Sequence, residues 1–195
     1  IRSMVIDVLQ GQKQDIASSR PVKQVSRNQV EPGVFDTVDE AIRAAKEAQL
    51  RFEDCTLATR EKVIADIRAA MRPRVQELAQ KTVEETGMGR VADKVLKLNL
   101  TLDKTPGVED LVTECETGDN GMTLYELSAY GVIGAITPST NPAETLICNS
   151  IGMLAAGNAI FFSVHPGAKN LSRELVSELN QVIAKSIGIE NLIVT

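Results

Sequence analysis

The feature that most constrains the fold is the alternation of apolar and amphipathic segments after residue 130. Residues 130–136 and 159–162 are almost wholly apolar, which is typical of strands buried within a parallel sheet. A helical pattern that ends at Gly157 separates them, and a second helical pattern over 171–183 leads to an apolar run at 192–194. The order strand, helix, strand, helix, strand predicts a βαβαβ unit with right-handed crossovers.

A layer of helices is predicted before this unit. Thr37 and Glu40 have the spacing of a capping box, and Gly87 and Gly89 are placed to end a later helix. The inward positions of the first helix are expected to be Ile42, Ala45, Ala48 and Phe52. The predicted fold class is α/β, with an N-terminal helical layer followed by the first part of a Rossmann-like parallel sheet. Since the sequence ends as a strand begins, we expect this fold to be incomplete.

Three further segments complete the predicted organisation. Residues 1–10 have the pattern of a short amphipathic helix, which either docks on a partner or packs on its own domain. Its apolar positions are Ile1, Met4, Val5, Val8 and Leu9. Residues 11–32 are polar without periodicity and are interpreted as a flexible linker before a compact domain, 33–195. After a turn signal at 118–121, residues 122–127 alternate apolar and polar side chains, as a half-buried strand does.

Charge and cysteine content argue against several classes of function. The 195 residues carry 21 Lys and Arg against 26 Asp and Glu, so a broad nucleic-acid-binding surface is not expected. No apolar run reaches the roughly 20 residues that span a membrane, so a membrane partner is not expected either. Cys55, Cys115 and Cys148 are widely spaced and form no zinc-binding pattern, so no metal site is predicted. Cys148 falls within a helix and is expected to be a small buried residue.

A polar loop, 137–141, follows the first buried strand and leads directly into a helix. Asn141 and Pro142 have the residue types of an N-cap and a first helical position. In an open parallel sheet, ligands bind beyond the carboxyl ends of the strands, and the N–H groups at a helix N-terminus favour anions. The alternative is an ordinary strand-to-helix turn with a good cap. The glycine-rich dinucleotide fingerprint is absent from this loop.

A second loop, 163–169, follows the next strand and should lie beside the first. It contains His165, the single histidine of the chain, before a Pro-Gly turn. A lone histidine in a loop is commonly structural or solvated. The Pro-Gly turn offers the alternative that the ring is aimed into the crevice between the two loops.

The first loop lies within the stretch AYGVIGAITPSTNPAETLICNSIGMLAAGNAIFF, and the second loop, which follows this stretch, contains HPGAK. Together with VEETGMGR, KTPGVEDL and GVFDTVDEAI upstream, this stretch resembles the coenzyme A-acylating aldehyde dehydrogenases. The similarity is greatest to the enzymes of ethanolamine and propanediol utilisation in bacterial microcompartments. It runs over residues 30–195. Residues 1–10 also resemble the encapsulation peptide that targets such enzymes to a microcompartment shell.

The resemblance implies NAD-dependent oxidation of a short-chain aldehyde, with transfer of the acyl group to coenzyme A. In such enzymes a cysteine attacks the aldehyde, hydride leaves to the nicotinamide, and a thioester remains for coenzyme A to take. The family's catalytic cysteine lies downstream in a second domain, and none of the three cysteines here matches it. We therefore expect this chain to be the N-terminal part of the enzyme and to be inactive alone.

The resemblance also assigns cofactor contacts to both loops. Either Asn141 or Thr140 is expected to donate a hydrogen bond to the oxyanion of the reaction. The cofactor-binding residues that match the family are Thr137, Pro138, Ser139, Thr140, Asn141, Pro142, Ser163, His165 and Pro166. Many relatives have Asn-Pro-His-Pro where this chain has Ser163-Val-His-Pro.

Further implications concern partners and location. The resemblance implies a homo-oligomer to which strand 122–127 contributes an arm, docking of residues 1–10 on a shell protein, and a place in the bacterial cytoplasm within a microcompartment. Two alternatives stay open. One is a non-catalytic fragment whose function is shell docking, and the other is an acyl-phosphate reductase of the same fold.

Overall fold

The computed structural model describes residues 31–195. The predicted docking helix at 1–10 and residues 11–30 of the predicted linker lie outside the described residues.

The described unit begins with helices and ends with a parallel sheet, in the order that the sequence predicts. The first four helices are α1 (Val38–Glu53), α2 (Leu57–Met71), α3 (Val75–Thr86) and α4 (Val91–Lys104). A hairpin follows, made of β1 (Glu114–Gly118) and β2 (Gly121–Tyr125). The remaining elements are β3 (Val132–Ile136), α5 (Pro142–Ala155), β4 (Ala159–Ser163), α6 (Lys169–Ile187) and β5 (Ile193–Val194). Short 3₁₀ turns occur at Arg72–Arg74, Val108–Asp110 and Pro166–Ala168.

The predicted βαβαβ unit is confirmed. Strands β3, β4 and β5 pair in that order and in parallel, with Val132 opposite Ala159 and Ile160 opposite Ile193. Strand β4 is central and its consecutive residues Ala159 and Ile160 are both buried, as expected for a strand covered on both faces. The prediction that the first apolar run is a buried strand is wrong for β3, because Ile136 is 85% exposed at the edge of the sheet.

Helix starts and stops follow from identifiable caps. The Thr37 hydroxyl oxygen accepts a hydrogen bond from the backbone N–H of Glu40 at 3.3 Å, which confirms the predicted N-cap of α1. Gly87 ends α3 in the left-handed conformation, with φ of 66°, as predicted. The prediction that Ile42 faces the core is wrong: Ile42 is exposed, and Ala41 takes the buried position of that turn.

The helical layer and the sheet share one apolar core. Helix α1 packs on all three strands of the sheet, and α2 packs on α5 and α6. Helix α4 packs on both α3 and α5, and its Lys94 side chain contacts the segment that precedes α5. The largest fully buried side chains include Phe52, Ile67 and Phe162. Among residues 31–195, no helix is both long and apolar enough to cross a membrane.

The hairpin of β1 and β2 confirms the predicted turn but not the predicted burial. The strands are antiparallel, with Gly118 opposite Gly121. Every residue of both strands is exposed, so the prediction of a half-buried strand over 122–127 is wrong within the described chain, and the strand itself ends at Tyr125. The alternating pattern places Met122 and Leu124 on one face of the strand, where both are more than half exposed.

Glycine is required at the point where the chain enters the unit. Gly33 has φ of 78°, and a Cβ built there would lie 2.5 Å from the carbonyl oxygen of Ile193 and closer still to Asn180. The Gly33 carbonyl accepts a hydrogen bond from the Thr195 N–H at 2.9 Å, and the Phe35 N–H donates to the Thr195 carbonyl at 3.1 Å. The start of the unit is thereby paired to the segment that follows β5.

Candidate functional site

The structure brings the two predicted loops together at the carboxyl ends of β3 and β4. The backbone N–H of Thr137 donates a hydrogen bond to the carbonyl of Ser163 at 3.1 Å, which continues the β3–β4 ladder by one step. The two loops leave the sheet directly after this bond and lead into α5 and into the 3₁₀ turn before α6. Their positions are those of a ligand crevice in an open parallel sheet.

The residues of the first loop differ in what they offer a ligand. Thr137 and Pro142 are buried, and the Thr137 hydroxyl has no hydrogen-bond partner among the described residues. Pro138 and Thr140 are exposed, whereas Ser139 is half-buried with its hydroxyl 3.8 Å from the sulfur of Met88. The exposed segment between the buried ends is therefore the part that a bound molecule can reach.

Asn141 occupies the N-cap position of α5, as predicted, but its side chain does not cap the helix. Its Oδ1 atom instead accepts hydrogen bonds from the ammonium groups of Lys94 at 3.2 Å and Lys97 at 3.1 Å, both on α4. The side chain of Asn141 is thus held by a neighbouring helix, and the N–H groups in the first turn of α5 receive no side-chain cap from it.

Lys94 and Glu144 form a buried charge pair beside this asparagine. Lys94 is 3% exposed, its ammonium donates to the Thr140 carbonyl, and it lies 3.4 Å from Oε1 of Glu144. Sequence reasoning missed both residues. The signal for Lys94 was present, because the residue falls three positions after Val91 and four before Leu98, on the apolar stripe of α4.

The second loop holds His165 in a structural role. The Nδ1 atom of His165 accepts a hydrogen bond from the Gly167 N–H at 3.0 Å and so caps the 3₁₀ turn Pro166–Ala168. An accepting Nδ1 places the proton of the neutral ring on Nε2. Ser163, His165 and Pro166 are all exposed on the crevice-forming loop. Nδ1 of His165 is thus used within the loop, and Nε2 is left as a donor.

The N-terminus of α6, which follows the second loop, is occupied by a carboxylate of the chain itself. Glu85, on α3, accepts hydrogen bonds from the N–H groups of Asn170 and Leu171, both at 2.8 Å. These are the groups with which a helix N-terminus binds anions. The phosphates of a cofactor therefore cannot use this helix N-terminus while Glu85 is in place, a point that the sequence did not reveal.

An open cavity of about 340 Å³ flanks Asn141 on its α4 side. Its lining residues are Lys97, Leu100, Thr101, Asn141, Glu144, Thr145, Cys148 and Asn149. Cys148 is exposed there, so the prediction that it is buried is wrong: it lies on the outward face of α5. Cys55, Cys115 and Cys148 are free thiols, and no group of metal-binding side chains occurs between Glu31 and Thr195.

Comparison with known proteins places these features in a family. The family model described as "Aldehyde dehydrogenase family" matches residues 8–182. The chain is 52% identical over 163 residues to a propanal dehydrogenase (CoA-propanoylating) of Salmonella typhimurium, which covers 84% of this chain and 35% of the relative. The chain therefore spans about a third of the length of that relative.

Solved structures agree in sequence and in fold. A propionaldehyde dehydrogenase from the fucose utilisation bacterial microcompartment of Clostridium phytofermentans superposes with a TM-score of 0.81 at 48% identity, over 84% of this chain and 38% of that one. A propionaldehyde dehydrogenase of Rhodopseudomonas palustris, solved with bound CoA and an acylated cysteine, gives a TM-score of 0.81 at 48% identity, over 85% and 38%. The chain belongs to the aldehyde dehydrogenase family, and its relatives there include CoA-acylating propanal and acetaldehyde dehydrogenases.

Proposed function

We propose that this chain carries the cofactor loops of an enzyme that oxidises a short-chain aldehyde with NAD and transfers the acyl group to coenzyme A. The observation that carries the proposal is the joining of the two loops by the Thr137–Ser163 hydrogen bond, with Asn141 held beside them. The relatives that act on propanal and acetaldehyde with coenzyme A support the chemistry. We further propose that the nucleophilic cysteine is supplied by sequence beyond Thr195.

The exposed groups of the two loops fit a nicotinamide cofactor. The residues that would hold it are 138–141 of the first loop and Ser163, His165 and Pro166 of the second, with Nε2 of His165 as a donor. NAD, when bound, accepts the two electrons removed from the substrate. Because Glu85 caps the N-terminus of α6, the phosphates of NAD would be bound elsewhere.

Asn141 is proposed to act on the substrate oxygen. Both hydrogen bonds to its Oδ1 come from lysines, so its Nδ2 group is the part that can donate to a developing oxyanion. Such a donor stabilises the charge that appears when a thiolate adds to the carbonyl. Removing one oxyanion donor typically lowers kcat by about 10²–10³-fold.

The three cysteines present do not fit the nucleophile. Cys148 lies seven residues after Asn141 on α5, which is about 10 Å along the helix axis at 1.5 Å per residue. Cys55 donates to the Arg51 carbonyl at the end of α1, and Cys115 lies on the exposed hairpin. A carbonyl carbon held by Asn141 is out of reach of a thiol at that distance, which supports a nucleophile from elsewhere in the sequence.

The test is the stoichiometry of the reaction in the full-length protein. Propanal, NAD and coenzyme A should give NADH and propanoyl-CoA in equal amounts, and omission of coenzyme A should stop turnover. Parallel assays with NADP measure the cofactor preference. NADH formation that is independent of coenzyme A, with free acid as the product, would overturn the proposal. A requirement for phosphate in place of coenzyme A would instead favour the acyl-phosphate reductase.

We propose that the hairpin is a contact between copies of the protein. Met122, Leu124 and Tyr125 are each about half exposed or more, and apolar residues at such a strand favour burial against another chain. Replacing Leu124 with Asp should therefore lower the molar mass measured by light scattering. An unchanged mass would contradict this proposal and would leave the catalytic one standing.

We also propose that residues 1–10 dock on a microcompartment shell protein, which would place the enzyme in the bacterial cytoplasm inside that compartment. The helical spacing of the apolar residues in the sequence of this segment and the microcompartment source of one solved relative support it. Deletion of residues 1–10 should abolish co-purification with shell proteins and leave aldehyde oxidation intact. If the deleted protein were captured as well as the intact one, the docking role would be wrong.

A further inference from the structure

The lysines of α4 decide which way the amide of Asn141 points. An ammonium group has three donors and no acceptor, so only the oxygen of the amide can face Lys94 and Lys97. The amide is planar, and its nitrogen therefore lies on the side away from both lysines. The assignment of oxygen and nitrogen follows from the hydrogen bonds, because a flipped amide would place its NH₂ group, which can only donate, against two ammonium groups that can also only donate.

Lys94 differs from Lys97 in how firmly it is held. Its ammonium is buried, and it contacts three acceptors of one short segment: the Thr140 carbonyl, Oδ1 of Asn141 and Oε1 of Glu144. Lys97 makes one of these contacts and lies at the rim of the open cavity. Lys94 therefore holds both the backbone before α5, at Thr140, and the side chain of the N-cap residue Asn141.

A gain in stability does not explain the buried pair of Lys94 and Glu144. A buried ion pair is a weak source of stability, because desolvation of the two charges offsets their attraction. Both carboxylate oxygens of Glu144 also lack a hydrogen-bond partner among the described residues. An apolar pair of similar size would fill the same space, but it would leave Asn141 free to turn its oxygen onto the N–H groups of α5 and cap the helix.

We propose that Lys94 is a positioning residue that holds Nδ2 of Asn141 toward the substrate oxygen, with Glu144 as the counter-ion of Lys94. The proposal rests on the proposed function, because it assigns Asn141 the oxyanion. Lys94 acts through Asn141 and does not itself touch the substrate. Asn141 therefore does not make the ordinary N-cap hydrogen bond of α5, and its Nδ2 group is instead held as a donor in the crevice.

The experiment uses the full-length protein with Lys94→Met, Asn141→Ala and the combination of the two. Lys94→Met should lower kcat by at least about 10-fold, within the range for loss of an oxyanion donor, and should leave the KM for aldehyde within about twofold. The double variant should be no slower than Asn141→Ala alone, because both changes remove one interaction. Multiplication of the two losses would overturn the proposal. Lys104→Met, at the exposed end of the same helix, is the matched control.

A second variant separates positioning from folding. Lys94→Met leaves Glu144 as a buried charge without its partner, so the melting temperature should fall. Adding Glu144→Gln should restore the melting temperature but not kcat. If kcat recovered together with the melting temperature, Lys94 would be structural and the proposal would be wrong.

A crystal structure of the Lys94→Met protein distinguishes failure of this proposal from failure of the proposed function. The Asn141 side chain should rotate to accept from an N–H group of α5. An unchanged side chain would overturn the positioning role even if the enzyme acylates coenzyme A. Conversely, a wild-type protein without coenzyme A-dependent oxidation would overturn the proposed function whatever the orientation of the amide.

Discussion

The carboxylate of Glu85 at the start of α6 allows a sharp test of how this crevice is built. It accepts two backbone N–H groups, from Asn170 and Leu171, at 2.8 Å each, and it joins α3 to a helix that is 85 residues further along the chain. A side-chain cap contributes about 0.5–2 kcal/mol, and a negative charge at a helix N-terminus adds about 0.3–1 kcal/mol. Since Glu85 is half-buried, we expect Glu85→Ala to lower the free energy of unfolding by about 2 kcal/mol.

Glu85→Gln should cost about half as much, near 1 kcal/mol, because its amide oxygen can accept one N–H while the charge is lost. For a domain of this size, 1 kcal/mol corresponds to about 2–4 °C in melting temperature, so the two variants should melt about 4–8 °C and 2–4 °C below the wild type. The assay is thermal unfolding followed by circular dichroism.

Glu84→Ala is the control, since Glu84 is exposed and lies on the same helix. Among residues 31–195 its carboxylate accepts only from the Gln80 side chain, at 2.8 Å. It should change the unfolding free energy by less than about 0.5 kcal/mol. Added sulfate should raise the melting temperature of Glu85→Ala more than that of the wild type, because the two vacated N–H groups can bind it. Equal stability of the two alanine variants would refute the capping role of Glu85.

Three further predictions follow from other parts of the molecule. Gly33→Ala should lower the unfolding free energy by about 2–5 kcal/mol, through the left-handed φ and the contact with the Ile193 carbonyl, whereas Gly118→Ala, in open space, should not; denaturant unfolding checks both. Hydrogen bonds from Lys81 and Arg74 hold the pKa of Glu77 below its ordinary value of 4.5. The stability that these hydrogen bonds contribute is therefore present above pH 4.5 and is lost as the pH falls. The difference in melting temperature between wild type and Glu77→Gln should shrink below pH 4.5. Cys148 should react with iodoacetamide, since its thiol is exposed. In the full-length protein, Cys148→Ala should still form acyl-CoA, because the thiol is too far from Asn141 to be the nucleophile. Loss of product formation in this variant would contradict that assignment.

The elements of the fold could be predicted because their signals are local. Caps at Thr37 and Gly87 and the apolar runs of β4 and β5 depend on residues close in sequence, and the structure confirms them. Burial could not be predicted as well, because it depends on which other segment covers a face. The apolar run of β3 and the alternating strand β2 both indicated burial, yet no residue between Glu31 and Thr195 covers Ile136 or Leu124.

In the candidate site, too, some features could be predicted from the sequence and others could not. The positions of the two loops follow from the strand order, so their meeting at Thr137 and Ser163 could be expected. The partners of the loop residues could not, because Lys94 lies 47 positions before Asn141 and Glu85 lies on a different helix from the one that it caps. Asn141 shows the consequence: its residue type and place predict an N-cap, and two distant ammonium groups override that preference.

Hydrogen–deuterium exchange of the full-length protein, with and without NAD, tests whether the cofactor binds at the two loops. We expect slower exchange in peptides that cover 137–142 and 163–166, and unchanged exchange in the hairpin peptides over 114–125, which serve as an internal control. Protection of neither loop at saturating NAD, or protection confined to other parts of residues 31–195, would contradict the assignment of the cofactor to this crevice.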